Sequence, residues 1–457
     1  MSKHLWKPIP KMLLLLTAVI GAACTDTPEE AAGQGTAQAI NAISDVSSVE
    51  FLIEETRLET VLFLRTTPFN IFDALEYDFN FDYLSGVTGD QERLASITQT
   101  LDVNTAYTFV LHGTAAAPRV TVLQQPERDF DVAGTILEIW FSNFSTTASA
   151  VDFYLGQEGF DPATVAPLAT GITQTTASGT VEIEAQSGEF VVTEAGNPAA
   201  VLFRSEPTGV TAGETLLVTL LDASEEVLGD YALSVGGTVS TGLVVDNSAL
   251  PQAQFTNASF SSGPVDFFQT SDLQNALASN VGPGQITTPV VLPDADDGAS
   301  FGLTVTPAGN PGVILEEREI VFPDAQNSIV FFSGRQADDS TAILNIPSNQ
   351  RVVFDATRLG IFNGIEDADA IEFFLLEEDE EFETERPQAA LESLRIQSEA
   401  VFPPESFDML VVDFFDQVTR TDRIPLDLLP STIVWVITLD TADPGVSEIV
   451  VLDPLNP

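Results

Sequence analysis

Residues 143–155 read Asn-Phe-Ser-Thr-Thr-Ala-Ser-Ala-Val-Asp-Phe-Tyr-Leu. In the second half of this stretch Val151, Phe153 and Leu155 share one face, and Asp152 and Tyr154 share the other. An alternation with period two is typical of a β-strand that buries one face and exposes the other. The stretch therefore predicts a half-buried strand of a β domain.

The same pattern occurs four times: an Asn, seven residues, then Val or Ile, an acid and Phe. The copies are Asn41 with Glu50 and Phe51, Asn143 with Asp152 and Phe153, Asn257 with Asp266 and Phe267, and Asn363 with Glu372 and Phe373. We interpret all twelve residues as structural. Asn side chains commonly close turns by bonding nearby backbone. We expect the acids to lie on the outer strand face or to bind the loop after the repeated asparagine.

A second motif lies in register with the first in the middle copies. Residues 192–198 read Val-Thr-Glu-Ala-Gly-Asn-Pro, and residues 305–311 read Val-Thr-Pro-Ala-Gly-Asn-Pro. The copies are spaced by about 100 residues, which is the size of a domain with its own core. Short alternating segments separated by turn residues indicate sandwiches of two antiparallel sheets.

The sequence thus predicts an all-β protein of four tandem, immunoglobulin-like β-sandwich domains. The predicted segments are a signal peptide over 1–23, a flexible tether over 24–38, and domains over 39–133, 134–250, 251–356 and 357–457. One exception is expected within the last domain. Residues 385–399, with Pro387 in the first turn, favour a short helix.

These motifs resemble a bacterial domain family of unknown function, the DUF4397-like domains. The resemblance rests on the Asn-x-Ser openings at Asn143 and Asn257, the Ala-Gly-Asn-Pro centres, and the close Tyr-Thr-Phe-Val-Leu-His-Gly over residues 107–113. It covers most of residues 39–450 and is weakest in the fourth repeat. Such a family implies tandem β domains on exported surface proteins and lipoproteins, and it supplies no catalytic residues.

The N-terminus has the pattern of an export signal. A basic segment over 1–11 precedes the apolar run Met12–Ile20 and the small residues before Cys24. The run is shorter than the ~20 residues that a membrane-spanning helix needs. The segment resembles a bacterial lipobox, although Gly21 stands where Leu is usual. It predicts a lipoprotein whose Cys24 is lipidated, and Thr25 after the cysteine favours the outer membrane. The alternative is ordinary signal cleavage.

Composition excludes several classes of function. The chain has 68 acidic and 17 basic residues, for a net charge of −51, and its single cysteine excludes a disulfide framework. Nucleic-acid binding needs clustered basic residues, so no nucleic acid is expected as a partner. All three lysines lie within residues 1–11, and His112 is the one histidine beyond the predicted signal. We interpret His112 as an ordinary strand residue.

The sequence does not exclude catalysis by carboxylates, because acidic residues are abundant. A pair of carboxylates suffices for glycoside hydrolysis, so an acid-pair carbohydrate-active enzyme or accessory subunit is the alternative function. No cofactor is expected. Calcium is the one metal candidate, at Asp294, Asp296 and Asp297, whose spacing misses the helix-loop-helix calcium template by one residue. Solvated loop charge is the simpler interpretation.

The function predicted from sequence is that of a non-enzymatic envelope lipoprotein. We expect a tethered structural, adhesive or ligand-binding module at the periplasmic or outer face of the outer membrane. The expected partners are the membrane, through the lipid anchor, and an extracellular glycan or protein. Spacer domains without a ligand are a third outcome.

Overall fold

The computed structural model describes residues 33–131, 134–292, 295, 300–334, 340–365, 370–377, 380–382, 385–443 and 445–457. In these ranges the regular secondary structure is strand, apart from one short 3₁₀ turn at Pro162–Thr164. The described strands form eight sheets, two for each of four consecutive parts of the chain. Each pair of sheets encloses one apolar cluster. The predicted all-β class and tandem-sandwich architecture are confirmed.

Domain 1 has two four-stranded sheets, of orders β4-β1-β7-β8 and β3-β2-β5-β6. We call the sheet that contains the first strand of a domain its inner sheet, and the other its outer sheet. The strands are β1 (Gln34–Asn41), β2 (Ser48–Ile53), β3 (Thr56–Leu62), β4 (Asn70–Asp73), β5 (Glu76–Leu84), β6 (Gln91–Thr100), β7 (Thr105–Thr114) and β8 (Ala117–Pro126).

Domain 2 is the largest, with an inner sheet of order β12-β9-β17-β18-β19, joined by β13, and an outer sheet of order β11-β10-β14-β15, joined by β16. The strands are β9 (Ile136–Asn143), β10 (Ala150–Gly156), β11 (Ala169–Thr173), β12 (Thr176–Ala177), β13 (Val181–Glu184), β14 (Ser187–Glu194), β15 (Asn197–Arg204), β16 (Thr208–Gly209), β17 (Thr215–Asp222), β18 (Tyr231–Gly237) and β19 (Thr241–Val244).

Domains 3 and 4 repeat the arrangement of domain 1. Their inner sheets have orders β23-β20-β26-β27 and β31-β28-β34-β35, and their outer sheets β22-β21-β24-β25 and β30-β29-β32-β33. The strands are β20 (Gln252–Asn257), β21 (Val265–Gln269), β22 (Asp272–Val281), β23 (Val290–Val291), β24 (Ser300–Pro307), β25 (Glu316–Val321), β26 (Asn327–Ser333), β27 (Ala342–Ser348), β28 (Thr357–Gly364), β29 (Ala370–Leu376), β30 (Ala389–Glu392), β31 (Ile396–Phe402), β32 (Ser406–Asp413), β33 (Ile424–Asp427), β34 (Thr432–Asp440) and β35 (Ser447–Leu452).

One pairing in every domain is parallel. The first strand of each inner sheet runs parallel to a central neighbour, as β1 does to β7, β9 to β17, β20 to β26 and β28 to β34. Both strands of these pairs are buried over most of their length; the β17 residues Thr215–Leu221 are buried without exception. Parallel strands covered on both faces have this character, which indicates that the inner sheets are covered on both sides.

The predicted helix over 385–399 is wrong. The chain forms edge strand β30 of the outer sheet and then crosses to β31 of the inner sheet. Leu394 has a left-handed backbone, with φ of 57°, at the crossing. Short apolar runs do not distinguish helix from strand, and here the pairing with β29 and β28 overrides the helix preference of the sequence.

The predicted tether does not extend to residue 38, because β1 begins at Gln34. Ala37 and Gln38 are fully buried in this strand. Gly35 lies so close to domain 1 that a Cβ there would fall 2.6 Å from the carbonyl oxygen of Asp102. Gly35 is therefore a packing requirement of a core strand.

Candidate functional site: the cleft between domains 1 and 2

The repeated asparagines close the same turn in all four domains. Each is at most 1% exposed, and its Oδ1 accepts a backbone N–H two residues later at 3.0 Å. Each Nδ2 donates to carbonyls at the opposite sheet; that of Asn143, for example, bonds the carbonyl oxygens of Ala148 and Ile172. Asn41, Asn143, Asn257 and Asn363 thus join the two sheets of each sandwich.

A left-handed residue completes each of these turns. The carbonyl of the repeated asparagine accepts an N–H from Leu64, Thr175, Gly284 or Leu394, at 2.7–3.0 Å. All four donors have φ between 57° and 72°. Three of them are not glycine, so the sequence carried no signal for this corner.

The repeated acids divide into two kinds. Asp152 is 4% exposed and accepts the N–H groups of Gly171 and Gly196 at 2.7 and 2.8 Å. Asp266 repeats this geometry with the N–H groups of Asn280 and Gly309. All four donors have positive φ. Gly196 and Gly309 belong to the Ala-Gly-Asn-Pro elements, which explains why the two sequence motifs keep their register.

Glu50 and Glu372 belong to the repeats without the Ala-Gly-Asn-Pro element, and they make surface contacts. Glu50 forms an ion pair with Arg57 at 2.9 Å, and Glu372 accepts from the side chain of Gln417. The acids of the middle repeats differ from the expectation, because they are buried and hold turns other than the one after the asparagine. The repeated Phe51, Phe153, Phe267 and Phe373 are fully buried, each in the core of its own domain.

The inner sheets of domains 1 and 2 pack face to face. One apolar cluster combines Ile40, Val110 and Leu123 of domain 1 with Trp140 and Leu217 of domain 2. A hydrogen bond of 2.7 Å between the hydroxyls of Thr66 and Ser234 also crosses this interface. Burial of both faces explains the continuous apolar character of the inner strands.

Domains 3 and 4 form a second pair in the same way. Their shared cluster contains Ile329 and Phe331 of domain 3, and Phe362 and Trp435 of domain 4. The rings of Phe331 and Phe362 stack with centroids 4.6 Å apart. Of the tryptophans beyond the predicted signal, one thus lies in each interdomain interface.

The segment that joins domains 3 and 4 contacts the first pair. The Arg351 side chain is 5% exposed; its Nε donates to Glu226 of domain 2 at 2.7 Å. Its Nη1 donates to the carbonyl oxygens of Ser44 and Val46 of domain 1, at 2.6 Å each. Four residues later, Asp355 accepts the N–H of Gly86 at 2.9 Å. The two domain pairs are therefore in direct contact.

A cleft of about 460 Å³ opens at one end of the interface between domains 1 and 2. Its size lies in the range of small-ligand sites, ~300–1,000 Å³. The lining includes His112 and Arg119 from domain 1, and Phe144, Gln174 and Asp222 from domain 2.

At the cleft, repeat one departs from the other repeats. His112 directly follows the residue that is in register with Asn41; the corresponding residues in the other repeats are Leu221, Ser333 and Leu439. Those three are at most 2% exposed, whereas His112 is half-buried. Comparison of these four positions is the sequence signal that could have identified His112.

Phe144 is a second departure. It directly follows the repeated asparagine, where the other repeats have Ala42, Ala258 and Gly364. In the second pair, the backbones meet at this point, and a Cβ on Gly364 would fall 3.0 Å from the Ala258 carbonyl oxygen. In the first pair the ring of Phe144 stands there, against the His112 ring with centroids 5.2 Å apart. We attribute the opening of the cleft to this larger side chain.

The two charged side chains that line the cleft, Asp222 and Arg119, differ in how many partners they have. Asp222 accepts from the N–H and hydroxyl of Thr146 and from the hydroxyls of Ser145 and Thr147. Arg119 is exposed and makes no ion pair with any residue that the structure describes. It lies directly across the strand pair from His112. The cationic group of the cleft is thus available to a ligand.

The pKa of His112 is lowered, first by burial and then by the neighbouring Arg119 charge. The unfolded chain therefore binds a proton more readily than the folded chain. Stability due to this group is complete above pH ~6.5 and declines as the pH falls from there toward the lowered pKa. We expect the melting temperature of a His112→Gln variant, measured relative to that of the wild type, to rise as the pH falls from 7.5 to 5.5.

The test uses the difference in melting temperature between variant and wild type at each pH. Glu399 is present in both proteins, and its protonation changes stability in the opposite direction to that of His112. Burial raises the pKa of Glu399, so protonation of this carboxyl stabilises the folded state as the pH falls. A His112→Gln profile parallel to that of the wild type would contradict the assigned shift.

Several predicted features lie outside the described residues. These are Cys24 with the signal peptide, and the candidate calcium ligands Asp294, Asp296 and Asp297. Among the residues that are described, no group of three His, Cys, Asp or Glu is placed to hold a metal ion. In that same part of the chain, no helix has the length and apolar character needed to cross a membrane.

No family model matches the chain, and no curated protein matches it.

Proposed function

We propose that the protein is a non-enzymatic envelope lipoprotein that binds a small ligand in the cleft between domains 1 and 2. The observation that supports binding is the cleft itself, at the domain interface where His112 and Phe144 replace the small or buried residues of the other repeats and Arg119 lies across the strand pair from His112. The contacts of Arg351 and Asp355 hold the two pairs together, so the four domains form a scaffold for this site.

The anchor is part of the proposal. Lipidation of Cys24 would place the site at the envelope, joined to the membrane by the residues that precede β1. The resemblance to tandem domains of exported lipoproteins supports this location. The alternative of an acid-pair carbohydrate-active enzyme gains no support from the cleft. Asp222 is the one carboxylate in its described lining, and this group is already bonded to three side chains.

Metabolic labelling with radioactive palmitate tests the anchor. We expect the label in the wild-type protein, recovered with the membrane fraction of a Gram-negative host, and no label in a Cys24→Ala variant. Equal labelling of the two proteins, or recovery of the wild type in the cytoplasm, would contradict the proposal.

Thermal melting tests the binding role. A soluble fraction of the native envelope is added to the lipid-free protein, residues 24–457 with Cys24→Ala. We expect the melting temperature to rise by a few degrees, since a ligand that binds only the folded state stabilises it by mass action. The same fraction should have a smaller effect on an Arg119→Ala variant. If the fraction leaves the melting temperature of the protein with the intact cleft unchanged, the ligand-binding role is overturned.

A further inference from the structure

We infer that the cleft between domains 1 and 2 binds a carboxylate-bearing sugar, a uronic acid residue of a saccharide. The inference rests on the proposed function and specifies the chemistry of its ligand. Three features carry it: a cation that forms no ion pair with any described residue, a wall that bears hydroxyls, and an apolar floor.

Among the described residues Arg119 forms no ion pair, which is also true of the exposed Arg65 and Arg386, but of these three it is the one that lines the cleft. Acids outnumber basic residues fourfold, 68 to 17, so an arginine on this surface meets carboxylates readily. Arg57, Arg93, Arg204 and Arg420 all form ion pairs with nearby acids at 2.9 Å or less. Arg119 has no such partner among the described residues although it lines a cleft. A guanidinium binds a carboxylate through two parallel N–H donors.

The carboxylate that lines the cleft with Arg119 is already bonded to other groups. Asp222 lines the same cleft, but its two oxygens are held by Ser145, Thr146 and Thr147 of its own domain. A ligand carboxylate is therefore the natural partner of the guanidinium. The negative charge of the whole chain opposes anion binding at long range. Salt screens this long-range repulsion, with a Debye length of about 8 Å at physiological ionic strength. It weakens the direct contact between Arg119 and a ligand carboxylate less.

The wall of the cleft suits a polyhydroxylated ring. Ser44, Thr114 and Ser224 line it with hydroxyls that bond no other described residue, and each hydroxyl can both donate and accept. Gln174 donates through Nε2 to the Thr146 carbonyl, which leaves its Oε1 directed to other donors. Such a set matches the alternating donors and acceptors of sugar hydroxyls.

The floor of the cleft is apolar. Phe63 and Phe144 line it with rings that are 3% and 5% exposed. A site with an apolar floor, a few convergent polar groups and one charge is the usual form of a small-ligand pocket. A peptide C-terminus shares the carboxylate, but its recognition typically uses a nest of backbone N–H groups or a free strand edge. The side-chain hydroxyls here favour the sugar.

Isothermal titration of the lipid-free protein tests the inference. The probes are glucuronate and galacturonate with their short oligomers, the matched neutral sugars glucose and galactose, and the dipeptide Ala-Ala as a carboxylate without sugar hydroxyls. We expect a uronate or its oligomer to bind at least tenfold more tightly than the matched neutral sugar and than the dipeptide. An Arg119→Ala variant should lose at least tenfold in affinity, and Arg119→Lys should recover only part of it.

The charge-matched control is Arg395→Ala, which removes an exposed arginine of domain 4, with a side chain 70% exposed, and should leave uronate affinity unchanged. Equal binding of uronate and neutral sugar, preference for the dipeptide, or uronate binding that survives Arg119→Ala would each overturn the inference. Absence of uronate binding with a retained response to the envelope fraction would overturn the sugar assignment alone. Absence of both responses would also overturn the proposed function.

Discussion

Replacement of Asp152 by alanine is expected to lower the free energy of unfolding of domain 2 by about 3–4 kcal/mol. The carboxylate accepts two backbone N–H groups, from Gly171 and Gly196, and is almost fully buried. Hydrogen bonds to a charged group contribute about 1.5–3 kcal/mol each, and unsatisfied buried donors add a desolvation penalty. The two turns, both with left-handed residues, lose their common acceptor.

Matched controls separate this role from general charge removal. Asp266→Ala should cost domain 3 a similar amount, since Asp266 holds the equivalent pair of turns. Glu50→Ala removes the acid at the same motif position but only a surface ion pair, and should cost about 1 kcal/mol or less. Urea denaturation of each variant provides the comparison. Similar losses for Asp152→Ala and Glu50→Ala would contradict the assignment of two kinds of acid.

Replacement of Arg351 by alanine is expected to separate the two domain pairs. The side chain joins carbonyls of domain 1 to Glu226 of domain 2, and its guanidinium lies over the Phe63 ring at 5.0 Å. Removal of one partner from a buried ion pair costs about 3–5 kcal/mol. Because Glu226 is 25% exposed, we expect about 3 kcal/mol for this contact.

Chymotrypsin gives a direct measurement of this separation. Phe354 lies in the same connecting segment, is 38% exposed, and packs its ring against Tyr83 of domain 1. Cleavage after Phe354 should be at least tenfold faster in Arg351→Ala than in the wild type. Arg57→Ala, which removes an exposed arginine from the outer sheet of domain 1, is the control and should leave the rate unchanged. An unchanged rate in Arg351→Ala would show that the pairs are held by other contacts.

The domain repeat could be predicted from sequence because its signals are local. The recurrence of Asn, an acid and Phe at fixed spacing reflects the core and turns of one sandwich. The half-exposed strand expected around Phe153 is wrong, because Asp152 and Tyr154 on its other face are only 4% and 3% exposed. The face-to-face pairing of the domains could not be predicted from sequence. Residues such as Val110 and Leu217 face a neighbouring domain, yet in sequence they cannot be distinguished from core residues of their own domain.

The wrong predictions of a tether up to residue 38 and of a helix over 385–399 have a common physical reason. Small residues and helix formers have weak local preferences, and tertiary pairing overrides them. Gly35 allows close approach to Asp102, and the residues around Leu394 complete both sheets of domain 4. The cleft was missed because each of its residues is ordinary alone. His112 stands out only when the same register position is compared in four domains.

Small-angle X-ray scattering of the lipid-free protein tests the central claim, that four sandwiches pack as two face-to-face pairs in mutual contact. A compact chain of this length has a radius of gyration of about 22 Å, whereas four ~100-residue domains in a line would give about 40 Å. We predict a value close to 22 Å that does not change between low and high salt. A value near 40 Å would contradict the paired arrangement and, with it, the cleft.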